Sequence, residues 1–284
     1  MKKILITGAG GMLAQDVDAA FQGSHEVISM GEHELDICYA DRVHETIVEL
    51  RPNVVINCAA YTRVDDCETE QEKAFAVNAT GVKNIALACR DSASLLIHIS
   101  TDYVFDGTKQ EPYREADETH PRSVYGQSKL AGENFVRTIL TRYVIIRSLW
   151  LYGRGGNNFV ATIQKLAQGK KELRVVNDQT GCPTYTRDLA HAIKALLGGN
   201  PQGIYHIANQ GTCTWYEFAR RIVELTSSPA NVIPISSDEI NRPAKRPAYS
   251  VLDCSRFIQE TGMELRHWDA ALQEYLHEAS GRIR

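Results

Sequence analysis

A doubly wound α/β fold on a mostly parallel sheet, followed by a smaller C-terminal α/β lobe, is what this 284-residue sequence predicts. Three observations carry it. A β-rich segment at residues 2–7 runs into the glycine turn Gly8-Ala9-Gly10-Gly11 and then into a helical pattern at 15–21. Short apolar runs at 54–60, 95–99 and 143–146 are too brief and too β-branched for free helices and read as buried strands. Amphipathic helical stretches separate these runs, and such alternation is the signature of βαβ units.

The first strand, turn and helix form the pattern that holds a dinucleotide. Glycines let the backbone turn tightly and approach a pyrophosphate, whose charge rests on the helix N-terminus. The spacing here is Gly8, Gly11, Ala14, with Gly10 offering a second register. The second strand spans 26–30 and ends in Met30-Gly31, where an acidic residue about 20 positions past the glycines ordinarily holds the ribose. Glu32, Glu34 and Asp36 follow closely, and no arginine stands nearby to claim a 2′-phosphate, so the residues themselves do not choose between NADH and NADPH.

Residues 41–50 form an amphipathic helix, which Arg51-Pro52-Asn53 breaks before the strand at 54–60. That strand ends in Ala59-Ala60, small enough for close approach of a planar ring or ribose, or for tight packing of a helix. Helical periodicity then covers 68–91, with Ala74, Val77, Ile85 and Leu87 facing inward and Asn78 among them. An asparagine there serves as a structural hydrogen bonder or as the anchor for a water that relays protons to Lys129.

The stretch 98–129 is the expected chemical centre. Ser100 and Thr101 fall at the carboxyl end of the strand 95–99, where open α/β sheets bind their ligands. Tyr125 and Lys129 are four residues apart in a helix opened by Pro121 and Ser123, so they share one face. A free tyrosine has a pKa of roughly 10 and is a poor proton donor at neutral pH. A neighbouring ammonium is expected to lower that value, as a general acid requires, while the Thr101 hydroxyl holds a carbonyl oxygen.

A helix to residue 140 and a strand at 143–146 complete a Rossmann-type series over 1–150. The texture then changes. A polar loop at 153–158, a helix at 159–168 and a strand at 173–177 lead through a second loop to a helix at 186–197 and a strand at 204–208. Segments 171–210 are expected to return to the dinucleotide-binding domain, leaving 151–170 and 211–284 as a substrate lobe. Arg242, Lys245 and Arg246 stand between prolines in that lobe, in an exposed loop or in a seat for substrate phosphates. Trp150 is either core or a stacking platform.

Bulk properties exclude other classes. A net charge of -4 and a pI near 6.2 give no footprint for nucleic acid or an anionic membrane. No apolar run approaches a membrane span, and Met1-Lys2-Lys3 leads straight into a strand rather than a leader. Seven scattered cysteines with no C-x-x-C pair predict reduced thiols in a cytoplasm and no zinc site. One chain's apolar faces do not reveal an oligomeric state.

Together the glycine turn, Ser100-Thr101 and Tyr125-x-x-x-Lys129 resemble the extended short-chain dehydrogenases/reductases. Further stretches narrow the likeness: 57–65, 100–107, 157–159, Asn177-Asp178-Gln179-x-Gly181-x-Pro183-Thr184 and Arg246-Pro247-x-x-Ser250 are similar to the dTDP-4-dehydrorhamnose reductases. The resemblance implies reduction of the C4 ketone of dTDP-4-dehydro-L-rhamnose, a dTDP-linked 4-keto-6-deoxysugar, to dTDP-L-rhamnose, a cell-surface polysaccharide precursor, by NADPH, or alternatively NADH. It implies Tyr125 as proton donor, Lys129 as its partner and ribose anchor, and Thr101 as the residue orienting the carbonyl. It also places Gly8, Gly11, Met12, Leu13, Asp36, Ile37, Ala59, Ala60, Tyr61 and Ser100 on the cofactor, and Thr101, Asp102, Tyr125 and Trp150 on the sugar nucleotide. Arg246 is a further expected nucleotide contact. Some such reductases hold magnesium through glutamates at a dimer contact; Gln15-Asp16 does not match, so no metal is expected. Two rival readings share the fold: a reductase of another nucleotide-linked 4-keto-6-deoxysugar, and a non-catalytic subunit similar to the regulatory subunit of methionine adenosyltransferase.

Overall fold

In the computed structural model, which describes residues 1–279, six parallel strands form the central sheet. They are β1 (Lys3–Thr7), β2 (Glu26–Met30), β3 (Val54–Asn57), β4 (Leu95–Thr101), β5 (Tyr143–Ser148) and β6 (Gly203–His206), in the spatial order β2-β1-β3-β4-β5-β6. The chain steps outward from β1 to β2 and then back across to β3. The carboxyl ends of β1 and β3 therefore flank a topological switch point, the place where doubly wound sheets bind ligands.

Side chains alternate between two buried faces. Ile4, Ile6, Val54, Ile56, Ile97, Val144 and Ile146 pack with α1 (Met12–Phe21) and the helix Thr186–Leu197. Leu5, Val55, Leu96 and Ile145 face the opposite way, against α2 (Ala40–Leu50), α3 (Val82–Ser92) and α4 (Val124–Ile139). Because both faces are covered, these strands read as continuous apolar runs. Near their carboxyl ends the runs give way to a polar row in register: Thr7 donates to Asn57, whose side-chain amide meets His98 Nδ1 at 3.1 Å.

The second core lies in the C-terminal lobe, where Tyr152, Tyr185, Phe218 and Tyr275 pack ring against ring. Thr214 and Glu217 cap the lobe helix Trp215–Leu225 reciprocally. Within the stretch 171–210, the helix Thr186–Leu197 and β6 join the central sheet, but the strand Glu172–Val176 pairs with Asn231–Ile235 in a separate sheet. Its sequence explains this. Leu173 and Val175 are buried while Glu172 and Arg174 are exposed, a one-faced pattern unsuited to a sheet covered on both sides. Residues 280–284, the end of the expected lobe, lie outside the described residues.

The single helix expected over 68–91 is broken. Short helices at Val64–Cys67 and Gln71–Phe75 lead into a π-helical segment, Ala76–Gly81, before α3. Such bulges re-aim side chains. Here the bulge turns Asn78 so that its carboxamide accepts from Tyr61 N and donates to Tyr61 O and Ser128 Oγ. Among the described residues no helix is long and apolar enough to cross a membrane.

Candidate active site

The carboxyl ends of β1, β3 and β4 meet the N-terminus of α4 at one place. Gly8 has φ +76°, and a Cβ on it would stand 2.6 Å from Ala59 N, so the first turn lies directly on the end of β3. Gly10 also has positive φ, and a Cβ there would meet nothing within 4 Å, leaving its backbone open to approach. Gly11 caps α1 without a side-chain hydrogen bond, and the first turn of that helix carries no acidic residue. The amides of Met12 and Leu13 therefore open a helix N-terminus that suits an anion such as a pyrophosphate.

The other expected cofactor residues surround this turn. Gly31 packs against the Ala9 carbonyl, and Glu34 accepts from the Gly31 amide at 2.7 Å. Asp36 accepts from Cys38 N, while Ile37 is buried beneath Gly81. Ala59 and Ala60 are half-buried, and Tyr61 is tied to Asn78 and, through its hydroxyl, to Glu70. The cradle formed by the glycine turn and the N-terminus of α1 fits a dinucleotide.

Ser123 caps α4, accepting from Gly126 N, as its position after Pro121 predicts. Gly126 is required: a Cβ there would sit 2.2 Å from the Tyr103 carbonyl. Gly132 plays the same part farther along, where a Cβ would sit 2.3 Å from Asn78 O. These two close approaches press α4 onto the turn after β4 and onto the π-helical segment, and so set the positions of Tyr125 and Lys129.

Tyr125 is 9 % exposed and lies edge-on to Tyr103 with ring centroids 5.4 Å apart. Burial pushes its phenol above the ordinary value, while the nearby Thr101 hydroxyl opposes that rise. The expected lowering by Lys129 does not operate here. The Lys129 ammonium instead donates to the Ile99 carbonyl at 2.6 Å, and burial lowers its pKa to about 8 against the raising influence of Glu133 and Cys58.

A buried charge network stands behind this pair. Glu133 accepts from Arg147 Nε at 3.0 Å and Nη2 at 2.7 Å, and from the Ser100 hydroxyl. Both members of the ion pair are essentially inaccessible, with side-chain exposures of 2 % and 0 %. Ser100, expected on the cofactor, therefore spends its proton inward. Sequence reasoning missed Glu133 and Arg147; the one signal was the cation that ends the apolar run 143–146, since Glu133 lies mid-helix.

Thr101 and Asp102 are also buried, at 5 % and 1 % exposure. Thr101 Oγ1 donates to Asp102 Oδ1 at 2.9 Å and accepts from Tyr103 N. Burial raises the Asp102 carboxyl to about 7, against the Ser250 and Thr101 hydroxyls.

Trp150 and Arg246 belong to the lobe side. Trp150 adopts φ +48° and stacks on Trp215 with centroids 3.5 Å apart, a strained backbone that orients its indole. Trp215 lines a cavity of about 980 Å³ whose wall also carries Arg122, Arg174, Arg242, Lys245 and Arg246. Arg246 makes a bidentate pair with Asp65, at 3.0 and 2.8 Å, which joins the segment after β3 to the lobe. Burial opposes ionisation of Asp65, but the Arg246 guanidinium holds its carboxyl below the usual range. Among the described residues no group of three or more histidines, cysteines or carboxylates is arranged to hold a metal.

The family model described as RmlD substrate binding domain matches residues 1–280. A dTDP-4-dehydrorhamnose reductase of Streptomyces griseus is 45 % identical over 98 % of this chain and 94 % of its own. A dTDP-4-keto-6-deoxy-D-glucose reductase of Streptomyces niveus is 40 % identical over 95 % of both chains. The crystal structure of dTDP-4-dehydrorhamnose reductase from Bacillus anthracis in complex with NADP superposes with a TM-score of 0.94 at 37 % identity, covering 98 % of this chain and 99 % of that one. The chain belongs to the RmlD substrate binding domain family, that of the dTDP-4-dehydrorhamnose reductases.

Proposed function

We propose that the chain reduces the C4 ketone of dTDP-4-dehydro-L-rhamnose to dTDP-L-rhamnose, a cell-surface polysaccharide precursor, with NADPH as donor and NADH as the alternative. The observation that carries this reading is the placement of Tyr125 and Lys129 on one face of α4, toward the carboxyl end of β4 in the same sheet whose first strand leads into the glycine turn. When bound, the dihydronicotinamide supplies a hydride to the carbonyl carbon. Tyr125 supplies the proton to the carbonyl oxygen. Burial keeps its phenol protonated, so the group enters the reaction as an acid.

Lys129 has three N–H groups and spends one on Ile99 O, which leaves donors for the nicotinamide ribose. The amides at the start of α1 hold the pyrophosphate of the cofactor. The cationic wall formed by Arg122, Arg242, Lys245 and Arg246 suits the diphosphate of the sugar nucleotide, and the Trp150–Trp215 stack closes that side with aromatic surface. We place the reaction in the cytoplasm, where the seven unpaired thiols stay reduced.

The test is consumption of NADPH with dTDP-4-dehydro-L-rhamnose, followed by nicotinamide absorbance and by product NMR. Turnover that persists undiminished in Tyr125→Phe would refute the assignment of the acid. A second reading, reduction of dTDP-4-keto-6-deoxy-D-glucose, is favoured by the Streptomyces niveus relative. The two sugars carry the same groups and differ in ring configuration, so a competition assay ranks them.

A further inference from the structure

The cationic wall of the large cavity does not stand by itself. Arg242, Lys245 and Arg246 lie on one short segment of the lobe, and that segment is tied twice to the dinucleotide-binding side. Past its end, Pro247 presses on the turn that follows β4: a Cβ on Gly107, whose φ is +78°, would stand 2.4 Å from Pro247 Cβ. Its middle is gripped by a single carboxylate, Asp65. Asp65 Oδ1 accepts from Ala244 N at 3.3 Å and from Arg246 Nη1 at 3.0 Å. Asp65 Oδ2 accepts from Arg246 Nη2 at 2.8 Å and lies 3.8 Å from Arg242 Nη1.

The pattern of these bonds leaves one edge of Arg246 open. A guanidinium carries five N–H donors in a rigid plane. Asp65 takes one from each terminal nitrogen, end-on, and the Ala244 carbonyl takes the second proton of Nη1 at 3.0 Å. Among the described residues, Nε–H and the remaining Nη2–H have no partner, and they form the fork along one edge of the plane. Such a fork meets two phosphate oxygens at once. The Arg246 side chain is only 13 % exposed, yet it lines the cavity. We propose that Asp65 is a positioning residue, which holds the guanidinium of Arg246 so that its open edge is presented to the diphosphate of the sugar nucleotide. This inference rests on the reductase reading above and deepens it.

The grip has a firm base. Asp65 belongs to the short helix Val64–Cys67, which Cys67 anchors in the interior. Glu68, directly after that helix, accepts from Val124 N at 2.8 Å. Val124 opens α4 and precedes Tyr125. The same stretch of chain therefore fastens the start of the helix that carries the acid and the cationic side of the cavity, and so sets the span between them. An arginine held in place before its ligand arrives loses less freedom on binding, which is worth roughly three- to tenfold in affinity for one long side chain.

The test uses the full chain loaded with NADP⁺ and measures the Kd of dTDP and of thymidine, which lacks the phosphates, by tryptophan fluorescence. Asp65→Glu keeps the charge and moves the carboxylate by one methylene; Arg246→Lys keeps the charge and removes the fork. Each is expected to weaken dTDP roughly three- to tenfold and to leave thymidine within about twofold. The double variant is expected to stay within about twofold of the weaker single variant, because lysine has no edge for residue 65 to aim. Equal weakening of dTDP and thymidine overturns the proposal, since a displaced loop affects both ligands alike. So does an Asp65→Glu chain that binds dTDP as wild type does, and so do losses that multiply in the double variant. A wild-type chain that binds dTDP no tighter than thymidine also overturns it. Turnover decides the underlying reading separately: a chain that reduces no 4-keto sugar, yet shows the loss specific to dTDP, refutes the reductase and leaves Asp65 in its role.

Discussion

Replacing Glu133 by glutamine leaves its shape intact and removes one buried charge. Its carboxylate receives three hydrogen bonds, two from Arg147 and one from Ser100, in a volume with 0 % side-chain exposure at Glu133 and 2 % at Arg147. The amide retains one acceptor oxygen, and its NH₂ group faces an arginine N–H, donor against donor. Arg147 is then a buried cation without a counter-charge, a situation that costs about 3–5 kcal/mol. Set against a typical stability of about 5–15 kcal/mol, this is a large fraction, and the midpoint of thermal unfolding should fall by roughly 6–15 °C. Urea denaturation followed by circular dichroism measures it. The double variant Glu133→Gln/Arg147→Met removes the stranded cation as well and should recover at least half the loss, since a buried pair replaced by neutral groups is often tolerated. A single-variant loss below about 1 kcal/mol, the value of an exposed ion pair, would refute the claim that the pair is sealed from solvent. A double variant no better than the single would refute the attribution to Arg147.

Three further outcomes follow from the same geometry. Tyr125→Phe should lower kcat by roughly 10²–10⁴, the usual worth of a positioned general acid, with binding of NADPH measured by fluorescence unchanged within a few-fold. Gly126→Ala drives a methyl into the Tyr103 carbonyl at 2.2 Å; it should destabilise the chain by about 1–3 kcal/mol in urea and reduce kcat through the displaced Tyr125, whereas an unaltered kcat would show that the contact does not position the acid. Asp102 contributes to stability with a definite sign. Its folded pKa is raised from 3.8 to about 7, so the folded state binds the extra proton in that window and stability falls as pH rises through it. Thermal unfolding should therefore show Asp102→Asn gaining on wild type between about pH 5 and pH 8, and a constant difference would count against the raised pKa.

Local pattern in the sequence determined the strands, the glycine turn and the Tyr125–Lys129 face. Each of these depends on residues within one turn or one strand: β-branched runs covered on both faces, Gly8 at a φ only glycine adopts freely, and a four-residue spacing on a helix capped by Ser123. The one-faced pattern at 172–176 was equally local, and weighing its polar positions would have assigned that strand to the lobe sheet. The π-helical segment was not legible, because a bulge is stabilised by what its re-aimed side chain meets, here Tyr61 and Ser128 brought in from 17 and 50 positions away. Only the tertiary structure decided the electrostatics of the site. Glu133 meets Ser100 and Arg147 across 33 and 14 positions, and Arg246 meets Asp65 across 181. The sequence placed Lys129 beside Tyr125 and implied a lowered phenol pKa; folding sent that ammonium to the Ile99 carbonyl and buried the phenol beside Asp102. The physical reason is that a charge's energy depends on which other groups share its desolvated volume, and that volume is assembled from distant segments only when the sheet closes.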